Sequence, residues 1–215
     1  MIPGLPLLLS GSLVTIAISV LSGILALVMA ALAGLARQSR QRALRWPAVA
    51  YIELFRGTAL LIQLFWMYYV LPDFGINLPA FAVVVLAIGL NYGAYGAEVV
   101  RGAMQAVGRS QREAGGALGL SSAQVVRLVV LPQAAAIAVL PWGNLMVQLV
   151  KATSLVSLIT IAELSYRAYQ LNQVTLHTGA IFGTVLVLYF AITQTVAAAT
   201  RWADARIGRW RQVAA

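Results

Sequence analysis

Cysteine is absent from this chain of 215 residues, and histidine occurs once, at His177. No disulfide, thiolate metal site or cysteine nucleophile can form, and a single imidazole cannot build a histidine cluster. Lysine is almost as scarce. Lys151 stands alone, after Val150 and before Ala152, so the Gly-Lys-Ser/Thr core of a phosphate-binding loop is missing. Only 10% of residues are charged, six of them acidic, and no paired carboxylates or Ser-His set offers an enzyme site. What fills the chain instead is apolar: 61% hydrophobic residues and a mean hydropathy of +0.86, well outside the range of a soluble domain. The composition reads as an integral membrane protein that binds no cofactor of its own.

The net charge of +9 would suggest nucleic acid in a soluble protein. Here the arginines gather at the ends of apolar runs, where basic residues set membrane orientation, and no nucleic-acid partner is expected. Leu7 to Leu35 carries no charge and exceeds the ~20 residues that cross a bilayer. Nothing basic precedes it, which argues for a span rather than a cleaved leader. Further spans are expected at Leu44–Leu71, Ala80–Val100, Gln133–Leu158 and Thr178–Thr200. Arg37, Arg40, Arg42 and Arg45 follow the first, Arg101, Arg109, Arg112 and Arg127 the third, and Arg201, Arg206, Arg209 and Arg211 the fifth. Twelve of the fifteen basic residues thus lie on one side, which places the N-terminus outside and the C-terminus in the cytoplasm. The whole reads as one all-α membrane domain over 7–203, with a cytoplasmic loop at 101–132 and a tail at 204–215 that meets anionic headgroups. No internal inverted repeat of the secondary-transporter kind is visible.

The cytoplasmic loop has internal order. Gln111 to Leu118 is helix-competent, and Gly119 is the residue expected just past a helix end, where the backbone turns left-handed. Ser121 and Gln124 form a capping box that opens a second short helix, expected to end near Pro132. Gly115 and Gly116 weaken the first helix by roughly 1 kcal/mol each relative to Ala, which reads as room for another surface to approach.

With those residues in view, Arg112 to Ala134 resembles the cytoplasmic coupling loop of ABC importer permeases. That pattern is Glu-Ala-Ala, a Gly six places after the Glu, then an apolar residue, a spacer, Leu and Pro. Glu113, Ala114, Gly119, Val129, Leu131 and Pro132 fall on it, and Gly115 replaces the second Ala. The resemblance implies five spans in a type I importer permease and a second permease chain, identical or sibling. It also implies an ATPase dimer that carries ATP and Mg, an extracytoplasmic solute-binding protein, and the bacterial inner membrane. It implies that Glu113 through Leu120 seats in a groove of the ATPase, with Val129, Leu131 and Pro132 shaping the return helix. The segments Glu53–Thr58 and Lys151–Leu155 resemble permeases for polar amino acids and opines. Gly89–Glu98 and Tyr169–Gln173 resemble those for ectoine and hydroxyectoine, which are also small zwitterions.

Polar groups within apolar spans are costly, roughly 3 kcal/mol for a charge at mid-bilayer, and persist when paired or lining water. Asn144, Gln148 and Lys151 fall at spacings of four and three on one helical face of the fourth span. Lys151 is a candidate cation for a substrate carboxylate, with Asn91, Asn144, Gln148 and Thr153 as neutral contacts. The equal alternative pairs Lys151 with Glu163 or Glu53. Glu53 and Arg56, three apart, are expected to form a structural ion pair, and Glu98 and Arg101 another. Small residues at spacing four, Ala26, Ala30 and Gly34 in span one and Gly89, Gly93 and Ala97 in span three, favour close packing within the chain over an interface with another. The competing function is an ion- or proton-coupled secondary carrier with Glu53, Glu98 or Glu163 as its proton site, which would need no ATPase.

Overall fold

The structure, a computed structural model, describes residues 4–39 and 41–207. Arg40, Arg209 and Arg211 of the orientation argument, and 208–215 of the tail, lie outside the described residues. Regular structure among the described residues is entirely helical. Helix α1 (Leu5–Arg37) is followed by α2 (Arg42–Gly57) and α3 (Leu60–Phe65), the last continued by wider and tighter turns as far as Phe74. Then come α4 (Ala80–Ala106), α5 (Arg109–Ala117), the short α6 (Ser122–Gln124) and α7 (Leu131–Ala152), with α8 (Leu164–Thr175) and α9 (Thr178–Ile207) closing the chain. Four helical stretches are long and apolar enough to cross a membrane: Leu5–Arg37, Ala80–Ala106, Ser122–Ile159 and Thr178–Ile207. A fifth span exists if α2 and α3 with its continuation cross as one bent unit.

That bend interrupts the span expected at about Leu44–Leu71. The axis turns by 105° between Gly57 and Leu60. Thr58 and Ala59 are extended there, so the last carbonyls of α2 lose their helical partners. Inside a membrane such groups must be satisfied by protein. The side chain of Gln63 supplies bonds, donating to Phe55 O at 2.9 Å and Thr58 O at 3.2 Å, and Asn91 Nδ2 donates to Phe55 O at 2.9 Å.

The small-residue stripes pack α1 directly on α4. A Cβ on Gly93 would lie 2.7 Å from Met29 Cβ, and one on Gly34 would lie 3.1 Å from the carbonyl of Ala97. Around this contact Ile18, Ala26, Val84, Ile88, Leu149 and Val156 form the main core, joining α1 and α4 to α7. Most of the surface of α1 and α9 is apolar and uncovered, including Leu13, Leu32, Leu186 and Phe190. This is the pattern of helices that meet lipid rather than water.

Two further boundaries differ from expectation. The return helix does not stop near Pro132: one rod runs from Ser122 through a wide turn at Val125–Val130 into α7. Pro132 has no amide to donate, and it falls where the wide turn at Val125–Val130 passes into α7, so the continuous rod takes up the missing bond in that turn. The residues 204–207, assigned to a tail, continue α9.

Candidate functional site

At the end of the bundle reached by the C-terminus of α4, the hairpin α5–α6 stands on its own small core of Met104, Val107, Val125 and Val130, with Leu120 packed against it. Arg112 donates to Met104 O at 2.7 Å and fixes α5 to α4. Gly119 has φ +77°, the left-handed conformation its position demanded. The capping box is complete: Ser121 N donates to Gln124 Oε1 at 2.9 Å, and Gln124 N donates back to Ser121 Oγ. Glu113 and Ala114 are exposed, and Glu113 pairs at 3.1 Å with Arg109. The two glycines divide: Gly116 is open, but Gly115 is buried, and a Cβ there would meet Val125 Cγ2 at 3.0 Å. Its small size serves the hairpin's own packing rather than an outside surface. Leu118, which no motif singled out, stands 81% exposed at the tip of the hairpin. Val129 and Leu131 are half-buried beneath it, and Pro132 is exposed.

The second group lies on α7. Asn144, Gln148 and Lys151 are all exposed, in one row. Lys151 makes no ion pair among the described residues, so its pairing with Glu163 or Glu53 is not found. The other two candidates stand apart from that row. Asn91 is buried and bonded to Phe55 O and to Gln63 Oε1 at 3.0 Å, holding the bend. Thr153 is fully buried, and its hydroxyl donates to Val150 O at 2.7 Å. Gln63, the residue sequence reading missed here, is signalled only by being a lone amide in an apolar run. The bend also shapes a cavity of about 400 Å³ lined by Phe55, Thr58, Ile62, Gln63, Trp66 and Met67.

The charged residues near the hairpin end regroup. Glu53 and Arg56 do not pair with each other. Arg56 lies 3.5 Å from Glu98, while Glu53 lies 3.9 Å from Arg37. Glu98 is the hub: it also contacts Arg37, and it binds Arg101 at 2.7 Å, the pair its spacing foretold. The cause is helix geometry. Residues 53 and 56 share a face of α2, but that face looks across at α1 and α4, whose opposite charges compete successfully for both side chains. Arg56 also stacks over the Tyr95 ring, 5.5 Å from its centroid.

Long apolar helices, a row of exposed polar groups on one of them and a structured hairpin at one end are features of a membrane-embedded helical protein. The chain belongs to the family of binding-protein-dependent transport system inner membrane components, whose model matches residues 24–209. It is 41% identical to a probable amino-acid ABC transporter permease protein of Sinorhizobium fredii, over 94% of this chain and 87% of that one. It is 36% identical to the glutamine transport system permease protein GlnP of Escherichia coli, over 89% and 88%. The L-cystine transport system permease protein TcyB of Bacillus subtilis is 38% identical, over 78% and 71%. Among solved structures, an amino acid ABC transporter with histidines superposes with a TM-score of 0.88 at 33% identity, covering 94% of each chain. The inward-facing MetNI methionine ABC transporter shares the fold, with a TM-score of 0.79 at 22% identity. The chain is therefore a multi-pass inner-membrane permease subunit of the type I ABC importer fold, and not an enzyme.

Proposed function

We propose that the chain forms the translocation path of an ATP-driven, binding-protein-dependent importer for a polar amino acid or a similar small zwitterion. The carrying observation is the exposed row Asn144, Gln148 and Lys151 on α7. An ammonium without an ionic partner is costly on a spanning helix unless it lines water or meets a carboxylate. One cation beside two amides suits the carboxylate and polar groups of an amino acid. The amino-acid permeases among its relatives support the same class. Ectoine and hydroxyectoine are the narrower form of this reading, supported by the resemblance at Gly89–Glu98 and Tyr169–Gln173. Two permease chains, identical or sibling, enclose the path, and an extracytoplasmic binding protein delivers solute to it.

Energy comes from a partner ATPase dimer that carries ATP and Mg, since this chain has no phosphate loop. The hairpin α5–α6 docks there, with Glu113, Ala114, Leu118, Gly119 and Leu120 as its contact edge and Val129, Leu131 and Pro132 as its support. The N-terminus faces outward and the C-terminus the cytoplasm, a placement supported by the arginines that follow α1, α4 and α9. The test is uptake of labelled L-glutamine, L-histidine, L-cystine and ectoine by Lys151→Met. A normally expressed variant is expected to show KM raised about tenfold or more, equivalent to ~1.4 kcal/mol of lost binding. Unchanged uptake of whichever probe the parent carries removes Lys151 from the path.

A further inference from the structure

Glu163 is a fully buried carboxylate in a lipid-facing protein, and neither transport nor coupling as described uses it. It lies in the connection between the rod ending at Ile159 and α9, at the end of the bundle away from the hairpin. Every contact it makes is with a donor. Its Oε1 accepts from Tyr166 N at 2.8 Å, which caps α8, and its Oε2 accepts from Tyr189 on α9 at 2.9 Å and from Thr15 on α1 at 3.4 Å.

The backbone around it is built for that contact. Gly11 lets α1 press against the turn: a Cβ there would lie 2.9 Å from Leu164 Cα and 3.1 Å from Glu163 O. Thr15 Oγ1 also accepts from Leu164 N at 3.3 Å. Just before the turn, α7 tightens over Thr153–Ile159, and Thr160 takes a left-handed φ of +63° that a β-branched residue rarely adopts. Tyr189 closes the circle, since its hydroxyl hydrogen-bonds Ser165 at 3.1 Å and lies close to Thr153, two residues beyond Lys151.

We infer that Glu163 is a positioning residue for transport, a latch that holds the tightened end of span four, and Lys151 with it, against spans one and five through Thr15, Tyr189 and Thr153. This rests on the reading that Lys151 lines the path. A buried carboxylate persists only if its acceptor capacity is met, and here three elements meet it together. An amide in its place keeps only one of the two acceptor oxygens, so either Tyr166 N or the Tyr189 and Thr15 hydroxyls lose their partner. The groups facing it are Thr15 from α1, Tyr189 from α9, the first turn of α8, and Arg167 one turn along that helix. None forms an ion pair with it among the described residues.

This chain carries no cysteine, so the introduced thiols are the only ones it contributes, and the partner subunits are used in cysteine-free form. Spin labels on Leu158→Cys and Leu186→Cys, both at exposed positions, report the distance between the tightened segment and α9 in the full transporter in nanodiscs. The same variants are assayed for L-glutamine, L-histidine and L-cystine uptake. One narrow distance is expected in the parent and in Lys151→Met. A broadened or shifted one is expected in Glu163→Gln and in Tyr189→Phe, which keeps the ring's volume and guards against simple misfolding. KM for the transported probe should rise in both latch variants with Vmax less affected, and Glu163→Asp should restore part of each. Distances unchanged in both latch variants overturn the proposal, as does a broadened distance with unchanged KM. If Lys151→Met transports normally, the path reading fails while the distances still decide the latch.

Discussion

Asn91 on α4 donates to the carbonyl of Phe55 at the end of α2, 2.9 Å away, and thereby closes the gap opened by the 105° bend in the chain. The amide serves α2 rather than an open path. Its other contact, Gln63, bonds the same carbonyl, so the two side chains form one unit that makes the break tolerable at membrane depth.

Asn91→Leu is expected to destabilise the protein by about 1–3 kcal/mol, the usual cost of a buried polar group left without its partner. Gln63→Leu should cost a similar amount, and the double variant less than the sum, because the two residues share Phe55 O. Thermal unfolding in mild detergent measures all three. Strictly additive losses would show that the amides act separately.

Glu98 is the carboxylate at which Arg37, Arg56 and Arg101 converge. Glu98→Gln leaves the three guanidinium groups facing one another with only Glu53 near Arg37. A loss of about 2 kcal/mol is expected, less than for a fully buried pair because the arginine side chains are a quarter to a third exposed. Arg101→Ala should cost under ~1 kcal/mol, since Glu98 keeps two partners. Equal losses in the two variants would deny Glu98 its place as the hub.

Gly119→Val forces a β-branched residue to φ +77°, with an expected strain of about 1–2 kcal/mol in the hairpin turn. Leu118→Asp leaves the hairpin's fold intact, because Leu118 is 81% exposed and its removal uncovers no core. Both should weaken retention of a partner ATPase in pull-downs, and only the glycine variant should make the hairpin easier to cleave by protease. Loss of thermal stability in Leu118→Asp would count against its assignment to a contact edge.

Burial pushes the Glu163 carboxyl above the ordinary carboxylate range, and its hydrogen bonds only partly oppose this. Between the ordinary value and the raised one, the folded protein binds more protons than the unfolded chain. Stability therefore falls as pH rises through that window, and Glu163→Gln should flatten this slope. Melting temperatures recorded from about pH 4 to about pH 8 give the comparison. An identical slope in the variant would show that other groups set it.

Much of this was legible in the residues. Gly119 and the Ser121–Gln124 box act locally, so their geometry follows from sequence spacing alone, whereas the end expected near Pro132 and the open face expected at Gly115 depended on packing that spacing does not show. The stripes at Ala26–Gly34 and Gly89–Ala97 also packed as expected, because few helices in lipid can approach so closely. Ion pairing was less legible: Glu53 and Arg56 satisfy the spacing rule, yet partners on α1 and α4 outcompete it, and no periodicity shows which helices lie opposite. The break at Thr58–Ala59 was hidden for a similar reason. Its carbonyls are tolerable only because Gln63 and Asn91 reach them, and Asn91 is distant in sequence. Thr153 resembled a path residue by its place after Lys151, but tightening of the helix turns it inward.

On the proposed function, the hairpin delivers ATP energy to a path lined by α7. The most direct measurement is a mild-detergent pull-down of the tagged chain, followed by uptake of L-glutamine, L-histidine and L-cystine into vesicles with and without internal ATP. With the solute-binding protein supplied outside the vesicles, an ATPase is expected to co-purify, Leu118→Asp to lose it, and uptake to require ATP. A chain that purifies alone and still moves solute without ATP would contradict it and make this a secondary carrier.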